Sequence, residues 1–328
     1  MRTRASGAPP RDTLRPVAGT APAVPTAPRR SLGVRTALLS ARPWSFTMTF
    51  SSVTMGTLFA ALAGEFDLPL YLLTLGGMVV FHAATNILND YYDVRHGVDK
   101  EGAPTTRYRL HPGAAGEVRP STILYFALGL YAITLTVAAY LASVAGPAIL
   151  FITAAGVLGS VLYTADPVVL KARGAGEATV FVMWGLLIPL GAYLVQTRAF
   201  SWVPLVGAVP IGIFVALVLL ANNIRDIDYD GSVNTRTIAV RLGVNAASRA
   251  YGWLLGAAYA FVLAEVLSGF VSAWSLLVFV TLPGALPLWR MFRGSIPDNA
   301  DPQTAALALQ FSVLYMASLA LAILLPVA

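Results

Sequence analysis

The sequence predicts an all-α integral membrane protein, a bundle of nine transmembrane helices that begins near residue 44. Its composition gives the first reason: 57% of the 328 residues are hydrophobic and only 12% are charged, which is too apolar for a soluble domain of this length. The second reason is that several apolar stretches reach the roughly 20 residues that a helix needs to cross a bilayer. The third is the one-sided placement of the basic residues.

Nine apolar spans follow one another along the chain, and each predicts one transmembrane helix. They lie near residues 45–64, 69–90, 121–142, 145–164, 178–197, 202–223, 250–268, 271–289 and 304–326. With a cytoplasmic N-terminus, the inside segments hold 21 of the 22 lysine and arginine residues, and only Arg198 falls outside. The positive-inside rule therefore predicts a multi-pass protein of the cytoplasmic membrane, with its C-terminus outside.

Residues 1–43 differ from the transmembrane domain that we predict at 44–328. They contain seven prolines and eight arginines but no lysine, a composition typical of disordered, basic tails. No apolar stretch with a small-residue cleavage site follows the early arginines, so a signal peptide is not predicted. We expect this tail to lie on anionic membrane lipid. Because the basic residues follow the predicted topology, we expect no nucleic-acid partner.

The composition also excludes some kinds of site. The chain has no cysteine, which rules out disulfides and thiolate metal sites. The three histidines, His82, His96 and His111, are scattered and lack the spacing of a metal site. His82 lies inside the second span, where a polar residue is a functional candidate. Two roles stay open for it: a hydrogen bond between helices, or orientation of a substrate hydroxyl.

The second span ends in an aspartate-rich segment, residues 86–99, that we call the first aspartate segment. On a continuing helix, Asn86, Asp90 and Asp93 are spaced i, i+4 and i+7, so they share one face. The sixth span ends in the second aspartate segment, residues 222–230. Four crossings separate the two segments, so both emerge on the same side of the membrane.

The second aspartate segment repeats this pattern of amide and carboxylate side chains. Asn222, Asp226 and Asp230 are spaced i, i+4 and i+8 and again share one face, whereas Asp228 points about 200° away from Asp226. Carboxylates one turn apart repel one another and are costly near hydrocarbon. The pattern therefore calls for a partner that offsets this cost.

Clusters of carboxylate and amide oxygens suit a hard cation, and Mg²⁺ in particular binds a few carboxylates together with phosphate oxygens. Two such clusters predict a site in which Mg²⁺ holds a diphosphate and assists its departure. The competing interpretation is a pair of solvated acidic helix ends. Among the basic residues on the same side, we predict that Arg107, Lys171 and Arg225 contact the diphosphate. The alternative for each of these is a topology anchor.

These motifs resemble the UbiA superfamily of membrane prenyltransferases. The resemblance rests on Asn-Asp-Tyr-x-Asp-x-x-x-Gly-x-Asp at 89–99 and Asn-Asn-Ile-Arg-Asp-x-x-x-Asp at 222–230, and it covers roughly residues 40–328. The stretch that starts with Tyr163-Thr164-x-x-Pro167 and the motif Thr237-Ile-Ala-Val-Arg241-Leu-Gly243 resemble the 1,4-dihydroxy-2-naphthoate polyprenyltransferases of menaquinone biosynthesis. This branch is expected to carry Gly-Lys where the chain has Asn234-Thr235.

The resemblance implies a nine-helix bundle with a central cavity, capped on the cytoplasmic side by the two aspartate segments. It implies Mg²⁺-dependent transfer of a polyprenyl group from its diphosphate to an aromatic acceptor, which in the naphthoate branch loses its carboxylate. The implied metal ligands are Asn86, Asp90, Asp93, Asp226 and Asp230, and the four aspartates among them are the implied catalytic residues. The implied substrate contacts also include Asn89, Asp99, Tyr163, Lys171, Asn222 and Asn223.

Three alternatives remain open at this stage. The acceptor could be a different aromatic compound. A terpene cyclase on the same scaffold would use both aspartate segments but quench the carbocation within the prenyl chain. A secondary transporter would instead place ionisable residues near the middle of its spans and use broken helices in paired repeats.

Overall fold

The computed structural model describes residues 33–99, 118–294 and 296–325. Throughout those ranges the regular elements are helices, which confirms the predicted all-α class. Their bounds are α1 Val34–Ser40, α2 Phe46–Leu62, α3 Leu68–Arg95, α4 Pro120–Ala145, α5 Ala148–Thr164, α6 Gly176–Thr197, α7 Val203–Arg225, α8 Ile227–Ser232, α9 Ile238–Leu242, α10 Val244–Leu267, α11 Ala273–Met291 and α12 Ala300–Leu324.

Eight helices in the described ranges are long and apolar enough to cross a membrane. The first of the eight is the run Ala37–Leu62, which includes α2 and the helical turns before it. The eight correspond to the predicted spans except the fourth, 145–164, which coincides with the shorter apolar helix α5 of 17 residues. A helix of that length is about 26 Å long, slightly less than the ~30 Å hydrocarbon core of a bilayer. The chain limits it at both ends, because Pro147 precedes its first residue and Ala165 is extended.

The residues just before the predicted tail boundary at residue 43 lie within the described ranges. Helix α1 precedes that boundary, and a 3₁₀ turn, Pro43–Ser45, leads directly into α2. Ala41 is buried, since residues 41–45 lie across the end of α3 that carries the first aspartate segment. We call residues 41–45 the strap. Residues 1–32 of the predicted tail lie outside the described ranges, so their disorder stays a prediction.

Helix α7 lies at the centre of the larger core, against α10 and α12. Aromatic side chains fill this half of the bundle: the Phe214 ring lies 4.5 Å from Phe311 and 6.1 Å from Tyr259. Helices α6 and α7 cross at two glycines, where a Cβ on Gly185 would lie 2.8 Å from the Cα of Gly212. Small residues of this kind let membrane helices approach closely.

The other half of the bundle encloses a cavity of about 180 Å³ between α3, α4, α5 and α6. Its lining is mostly apolar and extends from Tyr163 to Ile149, a rise of about 21 Å along α5. A π-helical stretch of α6, Phe181–Leu187, forms part of the wall, and such stretches are frequent at functional sites. The structure therefore contains a long apolar cavity of the kind that the resemblance implies.

Candidate active site

The first aspartate segment lies on the last turns of α3, which continues without a break to Arg95. This continuation confirms the predicted shared face, because Asn86, Asp90 and Asp93 are all buried, with exposed fractions of 9%, 2% and 6%. Ionised carboxylates at such depth are stable only with charged or hydrogen-bonded partners.

Asp90 and Asp93 each have a cationic partner from another part of the chain. Arg42 Nη2 donates to Asp90 Oδ1 at 2.5 Å. Lys171 Nζ donates to the Asp93 carboxylate and to Asn89 Oδ1, the latter at 2.6 Å. Asn89 Nδ2 in turn donates to Asp93 Oδ2 at 2.7 Å. The structure thus brings the predicted residues Asn89, Asp93 and Lys171 into one cluster.

Arg42 is a site residue that sequence reasoning missed, because an arginine between a tail and an apolar span is explained by topology alone. Its φ of 55° lies in the left-handed region, which is uncommon for a residue with a Cβ. Ser45 holds this turn by donating its backbone N–H and its hydroxyl to the Arg42 carbonyl, at 2.9 and 2.7 Å. The local sequence feature that could have indicated an ordered turn at Arg42 is the helix start Pro43-Trp44-Ser45 that follows it.

The second aspartate segment lies where α7 ends and α8 begins. Asp226 is the residue between them. Backbone bonds from Asp226 N to Asn222 O (3.0 Å) and from Asp230 N to Asp226 O (2.9 Å) carry the helical register across this break. Asp228 is exposed, which agrees with its predicted orientation away from the other two aspartates.

Arg225, a predicted diphosphate contact, pairs with carboxylates in the structure. It donates to both carboxylate oxygens of Asp226, at 2.8 and 2.7 Å, and to Asn222 Oδ1 at 2.8 Å. It also donates to the carboxylate of Asp301 at the start of α12. Asp301 was missed because the sequence explains it as an acidic residue of a helix first turn.

Asn223 faces a different neighbour from Asn222. Its Nδ2 donates to Glu177 Oε1 at 2.8 Å, and both side chains are buried. Of the two predicted asparagines, only Asn222 therefore lies with Asp226 and Arg225. Glu177, in the first turn of α6, is a third residue that was not predicted for the site.

The two aspartate segments meet in the structure. The Tyr229 hydroxyl of the second segment donates to the Val98 carbonyl of the first at 2.6 Å. Burial, together with the charges of Asp226 and Asp93, raises the pKa of Asp230 to about 7, although Lys171 acts in the opposite direction. Carboxylates from both segments therefore repel one another, and a bound cation would relieve this repulsion.

The remaining predicted contacts are distributed around this junction. Asp99 is buried. The pKa of the Tyr229 hydroxyl is raised, first by the burial of Tyr229 and then by the charge of Asp99. Tyr163 lines the apolar cavity, and a Cβ on Gly176 would lie 3.8 Å from its ring and 3.6 Å from Lys171 Cα, so Tyr163 and Lys171 lie against the same glycine. Arg107 lies outside the described residues.

The turn after the second segment explains how asparagine can stand at position 234, where the naphthoate branch is expected to carry glycine. The φ of Asn234 is 58°, in the left-handed region that glycine adopts freely and asparagine tolerates. The following Thr235 N–H donates to the Asp230 carbonyl at 2.9 Å, and Arg236 N–H donates to the Ala172 carbonyl at 3.1 Å. Asparagine thus preserves the turn that joins this segment to the loop carrying Lys171.

The donor set of the two segments fits Mg²⁺. Within the described ranges, no three acidic or histidine side chains converge into a ready-made metal-binding group. Mg²⁺ binds through one or two carboxylates and fills its other positions with water and phosphate oxygens. The side chains that offer suitable oxygens are Asn86, Asp90, Asp93, Asp226 and Asp230.

Comparison with known sequences agrees with this geometry. The sequence profile of the UbiA prenyltransferase family matches residues 49–325. The chain is 29% identical over 247 residues to the 1,4-dihydroxy-2-naphthoate octaprenyltransferase of Bacillus subtilis, covering 74% of the chain and 77% of that protein. It is 30% identical over 291 residues to the UbiA prenyltransferase domain-containing protein 1 of Danio rerio, covering 87% and 84%.

Solved structures show the same fold. A UbiA homologue from Aeropyrum pernix K1 superimposes with a TM-score of 0.63 at 18% identity, covering 83% of the chain and 97% of the homologue. A UbiA homologue from Archaeoglobus fulgidus, bound to DMAPP and Mg²⁺, superimposes with a TM-score of 0.58 at 16% identity, covering 87% and 99%. The predicted resemblance is confirmed, and the chain belongs to the UbiA prenyltransferase family.

Proposed function

We propose that this prenyltransferase transfers a polyprenyl group from a polyprenyl diphosphate to an aromatic acceptor in a Mg²⁺-dependent reaction. One observation carries the proposal: the joined aspartate segments lie next to the apolar cavity, because Tyr163, which lines the cavity, and Lys171, which binds Asp93, both lie against Gly176. A site that binds diphosphate next to a cavity of hydrocarbon character matches the two ends of a prenyl diphosphate. The DMAPP and Mg²⁺ bound to the Archaeoglobus fulgidus homologue support the same assignment.

Mg²⁺ would be held by Asn86, Asp90 and Asp93 of the first segment and by Asp226 and Asp230 of the second. When bound, the metal neutralises the negative charge that grows on the departing diphosphate. Arg42 and Lys171 already lie at this junction, each on an aspartate. Because phosphate oxygens also accept charge-assisted hydrogen bonds, both side chains can turn to the diphosphate and stabilise it as it leaves.

The apolar cavity provides the place for the prenyl chain and for the carbocation that forms when the diphosphate leaves. Its apolar walls accommodate the prenyl chain and keep water away from the allylic carbocation. Trp184 and Tyr163 line the cavity, and aromatic faces can stabilise such a cation. The bond between the first prenyl carbon and the diphosphate oxygen breaks first, and its electron pair leaves with the diphosphate. A ring carbon of the acceptor then bonds to that prenyl carbon, and the ring regains its aromaticity by losing a proton or, in the naphthoate, its carboxylate as CO₂.

For the acceptor we propose 1,4-dihydroxy-2-naphthoate, which loses its carboxylate as CO₂ in a step of menaquinone biosynthesis. The Bacillus subtilis relative supports this choice by its name. A different aromatic acceptor is the second candidate, because the relatives named UbiA prenyltransferase domain-containing protein 1 are equally similar.

The acceptor is tested by incubating the purified protein with geranylgeranyl diphosphate and Mg²⁺, with and without 1,4-dihydroxy-2-naphthoate, and identifying products by mass spectrometry. We expect a prenylated, decarboxylated naphthoquinol that disappears in EDTA. Diphosphate consumption with only hydrocarbon or cyclic products would instead identify a terpene cyclase. Consumption only with another aromatic compound would identify the second candidate.

We further propose nine crossings of the cytoplasmic membrane, with the aspartate segments facing the cytoplasm. The one-sided basic residues support this orientation. Since the chain has no cysteine, single cysteines can report it directly. Ser201→Cys should react with a membrane-impermeant maleimide added outside intact cells, and Gly231→Cys should react only after permeabilisation. The reverse pattern would overturn the orientation.

A further inference from the structure

His82 lies on α3 one turn before Asn86 and is 6% exposed. Both of its ring nitrogens contact side chains at the start of α2. Nε2 lies 3.2 Å from Ser45 Oγ, and Nδ1 lies 2.8 Å from Thr49 Oγ1. Of the two roles that the sequence left open, these contacts support a hydrogen-bonded connection between helices.

The direction of the bond to Ser45 follows from its single hydroxyl hydrogen. Ser45 Oγ donates that hydrogen to the Arg42 carbonyl at 2.7 Å. It must therefore accept from its other two neighbours, Asn86 Nδ2 at 3.2 Å and His82 Nε2. The His82 imidazole thus carries a hydrogen on Nε2.

The contact with Thr49 concerns the other ring nitrogen, Nδ1, and whether it carries a hydrogen. A charged imidazole at this depth would be expensive, so Nδ1 has no hydrogen and accepts from the Thr49 hydroxyl. The Thr49 oxygen is then free to accept from Trp184 Nε1 at 3.3 Å. Every bond in this chain of side chains is consistent with a single arrangement of hydrogens.

Asn86 receives its orientation from the same strap. Its Nδ2 donates to the Ala41 carbonyl at 2.8 Å and to Ser45 Oγ. A flipped amide would place its carbonyl oxygen against the Ala41 carbonyl oxygen, so the nitrogen faces the strap. The Asn86 oxygen is thereby left for a hard cation.

We propose that His82 is a positioning residue for the cation and diphosphate site. By donating from Nε2, it keeps Ser45 as a donor to Arg42 and an acceptor from Asn86. Ser45 thereby holds both the left-handed turn that places Arg42 on Asp90 and the amide of Asn86. The assignment of the cation rests on the proposed function, whereas the hydrogen-bond arrangement does not.

The arrangement itself is tested by ¹⁵N NMR of protein labelled at histidine, in which the His82 signals are those lost from His82→Gln. We expect a neutral ring with its hydrogen on Nε2. A ring with its hydrogen on Nδ1, or a doubly protonated ring, would overturn the proposal. This measurement needs neither metal nor substrate, so it stands even when the proposed function fails.

The effect on the site is tested by a matched pair of substitutions. A glutamine amide reaches the position of Nε2 and can still donate to Ser45, whereas the shorter asparagine reaches only toward Thr49. The readout is the Mg²⁺ concentration that gives half-maximal thermal stabilisation in the presence of a non-reactive geranylgeranyl thiodiphosphate. Residues that orient metal ligands typically change affinity 10–100-fold, so we expect His82→Asn to raise this concentration about 10-fold.

His82→Gln should keep the Mg²⁺ requirement near that of the unmodified protein. The control is Tyr71→Phe, which removes another hydrogen bond between α3 and α2, the one that joins the Tyr71 hydroxyl and Thr54 Oγ1 at 3.0 Å, far from Asn86. An unchanged requirement in His82→Asn, or an equal increase in Tyr71→Phe, would contradict a positioning role. Absence of Mg²⁺-dependent stabilisation in the unmodified protein would instead overturn the proposed function.

Discussion

The two aspartate segments lie at the same end of the bundle but are stabilised in different ways. In the first, Asp90 and Asp93 sit on an unbroken helix and are paired with cations from distant parts of the chain, Arg42 and Lys171. The second sits at a helix break, and Asp226 is paired with the adjacent residue, Arg225. The charge pairing of Asp90 and Asp93 therefore depends on the tertiary structure, whereas that of Asp226 is local in the sequence.

The largest effect should be common to both segments. Asp90→Asn and Asp226→Asn should each lower turnover about 10²–10³-fold, because a metal ion contributes several kcal/mol of transition-state stabilisation. Release of inorganic pyrophosphate at saturating Mg²⁺ measures this loss. Asp228→Asn, an exposed member of the same segment, is the control and should retain activity. Near-normal turnover in either of the first two variants would contradict a shared metal site.

Stability should distinguish the segments. Asp90→Ala leaves the Arg42 guanidinium without its carboxylate in a mostly buried position, which should lower the free energy of unfolding by about 2–4 kcal/mol. Asp226→Ala leaves Arg225 with Asp301 and Asn222, so the loss should be about 1 kcal/mol. Unfolding of the detergent-solubilised variants measures both values. Equal losses would show that the two pairs are not organised differently.

Lys171 sharpens the comparison, because it is the cation shared by Asn89 and Asp93. In Lys171→Met we expect a loss of kcat/KM of about 10–100-fold for the prenyl diphosphate, as charge-assisted contacts to the leaving group disappear. The Mg²⁺ requirement should not rise, since Asp93 loses a competing cation. Kinetics at varied diphosphate and varied Mg²⁺ separate the two effects. A higher Mg²⁺ requirement with an unchanged KM for diphosphate would assign Lys171 to the metal side alone.

The smallest effect should come from the bond that joins the segments. Tyr229→Phe removes the hydrogen bond to the Val98 carbonyl and should cost about 1 kcal/mol, or roughly a fivefold loss of turnover. Turnover at saturating substrate checks this value. A loss as large as that of the aspartate variants would mean that Tyr229 itself takes part in the chemistry.

Sequence periodicity and length predicted the features that depend on local pattern. The spans follow from apolar length, and the shared face of Asn86, Asp90 and Asp93 follows from helical spacing. The pairing of Arg42 with Asp90 could not be predicted, because 48 residues separate them and nothing in the local sequence connects them. The same holds for Glu177 and Asn223, 46 residues apart. Tertiary packing decides both contacts.

The central claim is that both segments bind one diphosphate together with Mg²⁺. The most direct test is the equilibrium binding of a non-reactive geranylgeranyl thiodiphosphate. It is measured for the solubilised unmodified protein and for the Asp90→Asn and Asp226→Asn variants, each in Mg²⁺ and in EDTA. We expect binding by the unmodified protein only in Mg²⁺, and at least about tenfold weaker binding by each variant. Tight binding in EDTA, or full affinity in either variant, would contradict the claim.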